Sequence, residues 1–179
     1  MNIFHKRQGQ SGINYCYFYT DTISGFRHLL VHDFFKLVII SSLQYLVQKE
    51  LVILYGFVIM PNHIHLLWSI KKQNGKESVA GSFTKYTAHE FKKMLVHTCE
   101  LQLYKSDKND RQYQFWKRDP LAIPISSEQI LLSKLDYIHN NPVKEKWNLC
   151  KLQEEYRWSS AAFYLNGHDE FNMLTHYKG

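Results

Sequence analysis

Residues 51–70 read LVILYGFVIM, then Pro61-Asn62, then HIHLLWSI. Two apolar runs flank a turn signal, and no other stretch limits the fold as strongly. The first run is nearly continuous, as expected of a central strand. The second returns after the turn, so the pair reads as a hairpin. The returning strand carries His63 and His65 among apolar neighbours. Histidine fills a buried strand poorly, because its ring nitrogens need partners. Side chains alternate between faces, so His63, His65 and Leu67 share one face. Ile64, Leu66 and Trp68 share the other, which fits a core under helices. Two neutral imidazoles directed at one point can bind a divalent metal. They can equally be half-exposed histidines on a solvated sheet face, and H-x-H alone favours that plainer reading.

The flanks supply the rest of the fold. INYCYFYTDT (13–22) is rich in aromatic and β-branched residues and reads as a strand. HDFFKLVIISSLQYLVQKE follows with apolar residues at helical spacing, and Asp33 is a plausible cap. After the hairpin, SFTKYTAHEFKKMLVH predicts a second helix. Phe83, Thr87, Phe91 and Met94 or Leu95 share its apolar face. YQFWKRDPLAIPI is strand-like but broken by Pro120 and Pro124, so an edge strand or irregular chain is expected. SSEQILLSKLDYIHN predicts a third helix, capped by Ser126 or Ser127 and stopped before Pro142. The order strand, helix, strand, strand, helix, strand, helix is that of an α+β, ferredoxin-like split β-α-β sandwich. Its antiparallel sheet would have helices packed on one face, with a third helix that carries Tyr137. One domain is expected over 1–179, with a core of about 13–150 and a C-terminal extension at 151–179.

The third helix has two distinct sides. Leu131, Leu135 and Ile138 form an apolar stripe, whereas Lys134, Tyr137 and Asn141 fall together on a polar face. A surface tyrosine and a helix-ending asparagine would leave the same pattern. The net charge of +6 favours an acidic partner, most commonly nucleic acid, and aromatics at 15% add surfaces on which bases could stack. Lys85, Lys92 and Lys93 on the second helix could contact a DNA backbone, or simply face water. Cys16, Cys99 and Cys150 are widely spaced, with no C-x-x-C pair, so no zinc knuckle or disulfide framework is expected. The start, MNIFHKRQGQSGINYCYFY, lacks a long apolar stretch after its basic residues, and no apolar run elsewhere is long enough for a membrane span. The expectation is a cytoplasmic protein with no membrane partner.

MPNHIHLLW, followed by DYIHNNPVK and then YRWSSAAFY, resembles the single-tyrosine HUH transposases. It looks most like the branch associated with repetitive extragenic palindromes (REP). The likeness covers roughly residues 15–164. Each motif alone is common, but the three in this order are specific. The resemblance implies that His63 and His65 are the metal pair, that Tyr137 is the nucleophile and that Asn141 supplies a third ligand. Lys134 could then contact a phosphate beside Tyr137. The residues before Ile13 do not match the family's start, and no base-reading role is carried over to them. His89, His139 and Asp136 are expected outside the site, and Trp158 is expected to pack rather than to stack on bases.

The implied activity is metal-assisted attack by the tyrosine on single-stranded or hairpin DNA. It would give a 5′-phosphotyrosine and then strand transfer, with Mg²⁺ or Mn²⁺ as the metal. The protein would act as a monomer or a homodimer. Three rivals stand beside it. One is an HUH replication initiator or relaxase-type nickase. Another is a ferredoxin-like nucleic-acid-binding module without catalysis. The third is a metal-dependent hydrolase that uses water, for which no carboxylate is evidently paired with H-x-H.

Overall fold

The computed structural model describes residues 12–179. The start of the chain, on which the expectation of a cytoplasmic protein partly rests, therefore lies largely outside the described residues, as does most of the stretch denied a base-reading role. Four strands form one antiparallel sheet: β1 (Cys16–Thr22), β2 (Val52–Met60), β3 (His63–Ile70) and β4 (Leu121–Pro124). Their order is β2-β3-β1-β4. The helices are α1 (Asp33–Gln48), α2 (Val79–Leu95), α3 (Glu128–Asn140) and the short α4 (Ala161–Asn166). This is the expected α+β, ferredoxin-like arrangement.

The alternation in β1 and β3 sorts two cores onto opposite faces of the sheet. Tyr19, Ile64, Leu66 and Trp68 are buried in one core with Phe35, Ile39, Phe83 and Phe91 from α1 and α2. Phe18, Val58, Met60 and Leu67 pack on the other face against Leu135 and Ile138 of α3. The apolar side of α2 resolves as Phe83, Thr87, Phe91 and Leu95, while Met94 is exposed. Gly56 lets α3 come close to the sheet, because a Cβ there would lie 2.6 Å from Leu135 Cδ2.

Two expectations are corrected. Asp33 does not cap α1; His32 occupies the cap position, and Asp33 sits in the first turn as the ion partner of Lys36 at 2.9 Å. The apolar run of β2 is not central either, since β2 forms an outer edge of the sheet. Its burial has another source. The C-terminal segment lies along that edge and takes up its backbone groups. Ile59 N donates to Trp158 O and Ser160 N to Phe57 O, both at 2.9 Å, and Thr175 N donates to Leu54 O at 2.9 Å. The hydroxyls of Tyr156 and Tyr164 donate to Ile59 O and Tyr55 O, each at 2.8 Å. An open edge would be a template for pairing with another chain, and this cover removes it. β4, broken by its prolines, is the opposite edge, as expected.

Ser127 caps α3, its hydroxyl accepting from Ile130 N at 3.3 Å. Asn141 ends the helix in front of Pro142. Trp158 is buried and stacked on Phe171, as packing requires. The three cysteines are free thiols. Among the described residues no helix is long and apolar enough to cross a membrane.

Candidate active site

His63 and His65 extend from interior strand β3 toward α3, with ring centroids 4.8 Å apart. Their outer nitrogens are free because their inner ones are held. Asn62 donates its amide N–H to Phe26 O, which fixes the amide's orientation and leaves Oδ1 to accept from His63 Nδ1 at 2.7 Å. That bond selects the tautomer with its lone pair on Nε2. Thr20, directly across from His65 in the β1–β3 register, places Oγ1 2.7 Å from His65 Nδ1. His65 Nε2 is then buried with no hydrogen-bond partner, and so is the side-chain amide nitrogen of Asn141. Buried polar atoms are seldom left unpaired without a reason.

Both imidazoles are held neutral. Burial, with lesser contributions from Lys146 and Lys144, pushes His63 down to about 4. Burial, then His63, Lys144 and Lys134, pushes His65 down to about 3. Protons are thus absent from the atoms that a metal would use. Among the described residues no group of three or more His, Cys, Asp or Glu side chains gathers. A third protein donor would have to be an amide or a hydroxyl, and Asn141 is buried and uncommitted. An amide can present either end, so its oxygen can serve. The donor set fits a divalent cation.

Tyr137 lies beside this pair. Its ring centroid is 5.3 Å from that of His65, edge to face, and the side chain is 41% exposed, open to a large substrate. Phe18 fixes the spacing, stacking on His65 at 5.2 Å and meeting Tyr137 edge-on at 5.8 Å. Lys134 Nζ is 4.8 Å from the Phe18 ring and 6.0 Å from the Tyr137 ring. A closer cation was not singled out from the sequence: Lys144 Nζ lies 4.1 Å from the Tyr137 ring. Trp147 continues the wall at 5.6 Å from His63, with Lys146 Nζ 5.2 Å from its ring. Lys144, Lys146 and Trp147 sit in the turn after α3, where no periodicity marks which side chains face the site.

The other lysines proposed for DNA lie elsewhere. α2 covers the opposite sheet face, where Lys85 pairs with Glu77 and Lys93 pairs with Glu90, while Lys92 lies 5.2 Å from the Tyr113 ring. Lys85 lines a separate cleft of about 600 Å³ between α2 and residues 111–120, with buried Asp21 in its wall. His139 faces away from Tyr137 and pairs with Ser160 Oγ at 2.8 Å, and His89 is exposed on α2. Asp136 accepts from the Asn140 amide at the surface.

Two comparisons with known proteins bear on this chain. A REP-associated tyrosine transposase of Escherichia coli (strain K12) is 29% identical over 109 residues. The match covers 61% of this chain and 53% of that protein, so the chain spans about half the length of that relative. No family model matches. A solved structure of a REP-associated tyrosine transposase bound to a REP hairpin superposes with a TM-score of 0.61 at 15% identity. That superposition covers 98% of this chain and 92% of the other, and at such identity it speaks to the fold. The chain is thus similar to a REP-associated tyrosine transposase in sequence over 109 residues, and shares the fold of another over almost its whole length.

Proposed function

We propose that the protein is a DNA transposase of the single-tyrosine HUH class, cutting and rejoining single-stranded or hairpin DNA. The observation that carries this reading is the meeting of Tyr137 with two neutral imidazoles whose Nδ1 atoms are already engaged. The hairpin bound by the solved neighbour supports DNA of that form as the substrate class.

In this reading the Tyr137 phenol oxygen attacks the phosphorus of a phosphodiester. A bond forms between phosphorus and the tyrosine oxygen, and the bond to the 3′ oxygen breaks. The phenol proton is lost to solvent, and the departing oxygen takes a proton to become a free 3′-hydroxyl. A 5′-phosphotyrosine remains. Attack by a 3′-hydroxyl reverses the step, restores the phenol and completes strand transfer without an outside energy source. Lys134 and Lys144 draw the phosphate toward Tyr137 and offset its charge. Phe18 holds the tyrosine ring against His65. His63, His65 and Asn141 would hold Mg²⁺ or Mn²⁺, which when bound polarises the phosphate and stabilises charge on the departing oxygen.

The test is a labelled hairpin oligonucleotide with single-stranded flanks, incubated with the protein and Mg²⁺ or Mn²⁺. A denaturant-resistant protein–DNA adduct that disappears in Tyr137→Phe is expected. Cleavage that persists in Tyr137→Phe would make water the nucleophile and the protein a metal-dependent hydrolase.

A further inference from the structure

The loop that leaves β1 contains a costly conformation that side-chain burial does not offset. Residues Ser24–Phe26 form a single 3-10 turn, within which Gly25 has φ +67° and Phe26 has φ +55°. Glycine adopts that region freely, but an aromatic L-residue there is a true outlier. Burial does not compensate, for the Phe26 side chain is 61% exposed.

The backbone of Phe26 is nonetheless held firmly. Its N–H donates to Ile23 O at 2.9 Å, and its carbonyl accepts from Asn62 Nδ2 at 3.1 Å. The same Asn62 amide accepts from His63. One side chain therefore ties the backbone of Phe26 to a candidate metal ligand. Lys117 Nζ lies 4.2 Å from the Phe26 ring. Two residues on, His28 lies 5.9 Å from Trp147, which borders His63. The backbone of Phe26 thus borders the His63 side of the site, and its exposed ring lies beside Lys117 at the rim between that site and the cleft along α2. Strained conformations persist where the surroundings enforce them, and they cluster at functional sites.

A flat exposed ring with an ammonium beside it matches one ligand chemistry well: an unpaired nucleobase with its phosphate. We propose that Phe26 is a stacking platform for an unpaired base of the DNA strand engaged at the His63 side of the site, with Lys117 on the adjoining phosphate. This deepens the reading of the protein as a single-strand DNA enzyme and rests on it. Stacking uses the π face that every base has, so the platform is tolerant of sequence.

Phe26→Gly is the informative variant, because glycine accepts the left-handed backbone and removes only the ring. Its melting temperature should equal or exceed that of the wild type. Its affinity for a labelled single-stranded thymidine oligonucleotide should fall by about tenfold. Its salt dependence should be unchanged, since no phosphate contact is lost, and Phe26→Trp should restore binding. Lys117→Ala should instead reduce the slope of log affinity against log salt by about one. A Phe26→Gly variant that binds as tightly as the wild type, or a Trp variant as weak as Gly, overturns the platform. Where one of those results is found and the wild type still forms the Tyr137 adduct with the hairpin oligonucleotide, the platform alone has failed. A wild type that neither binds the oligonucleotide nor forms the adduct overturns the reading of function and the platform with it.

Discussion

Tyr137, Thr20 and Lys144 act on the proposed reaction in separable ways. Tyr137→Phe deletes one oxygen from a half-exposed ring and leaves the contacts to Phe18 and His65 in place. Melting temperature and DNA affinity should be nearly unchanged while cleavage disappears, and no added metal should restore it. Thr20→Val removes the oxygen that sits 2.7 Å from His65 Nδ1 and keeps a similar shape. Losing such support for a metal-binding imidazole typically lowers metal affinity by about 10–100-fold. Cleavage by Thr20→Val should therefore recover as Mn²⁺ is raised, and recovery at low Mn²⁺ would show that the threonine does not orient the ring. Lys144→Met keeps much of the aliphatic stem and removes the charge 4.1 Å from the Tyr137 ring. A loss of roughly 10–100-fold in cleavage rate is expected, with an unchanged melting temperature because the residue is exposed. A variant that cleaves at the wild-type rate would place the charge outside the reaction.

The elements explain why some of this could be read from sequence and some could not. The alternation of β3 assigned His63 and His65 to one face because a strand has period two. The spacing of α3 separated Leu135 and Ile138 from Tyr137 because a helix repeats every 3.6 residues. Thr20 had no such signal, since its place opposite His65 depends on the register between β1 and β3, strands separated by a whole helix. Lys144 and Trp147 lie in a turn, where spacing does not give direction. The edge position of β2 departs from the sequence expectation for a physical reason. A strand buried on both faces looks central, and here the burial at its edge comes from a segment about 100 residues later, through bonds such as Ser160 to Phe57. Gly56 shows how closely β2 and α3 meet. Gly56→Ala would push a Cβ to 2.6 Å from Leu135 and 3.2 Å from Ser160 Oγ. A loss of about 1–3 kcal/mol in stability is expected from such overpacking. Displacement of α3 should also slow cleavage, because that helix carries Tyr137. Denaturant unfolding checks the first outcome and adduct yield the second; a fully stable Gly56→Ala would mean that Leu135 rotates away at no cost.

Across the whole molecule, the buried titratable groups tie folding to pH. His63 and His139 are pushed down to about 4 and His65 to about 3, chiefly by burial. Unfolded histidines titrate near 6.5. Between those values the unfolded chain holds protons that the folded one refuses, so the stability present above about pH 6.5 is lost as pH falls. Asp21 acts in the opposite sense. Burial raises it to about 7, against bonds from Thr22 N and the Tyr19 hydroxyl that lower it. It is therefore protonated in the folded protein and ionised in the unfolded one over the same range, and its contribution is lost as pH rises toward 7. Near pH 5 three histidines take up protons on unfolding and one aspartate releases one, a net uptake of about two. For the metal-free protein, the unfolding free energy should thus fall by roughly 2–3 kcal/mol per pH unit on going down through that region. Urea unfolding in the presence of a chelator, from pH 7 to pH 4.5, measures this directly. Replacing His139, which has no part in the proposed chemistry, should reduce the slope by about one proton without altering the pH profile of DNA cleavage. A stability that stays flat or rises on acidification would mean that the imidazoles facing α3 reach water in the folded state, and their readiness to hold a cation would lose its physical basis.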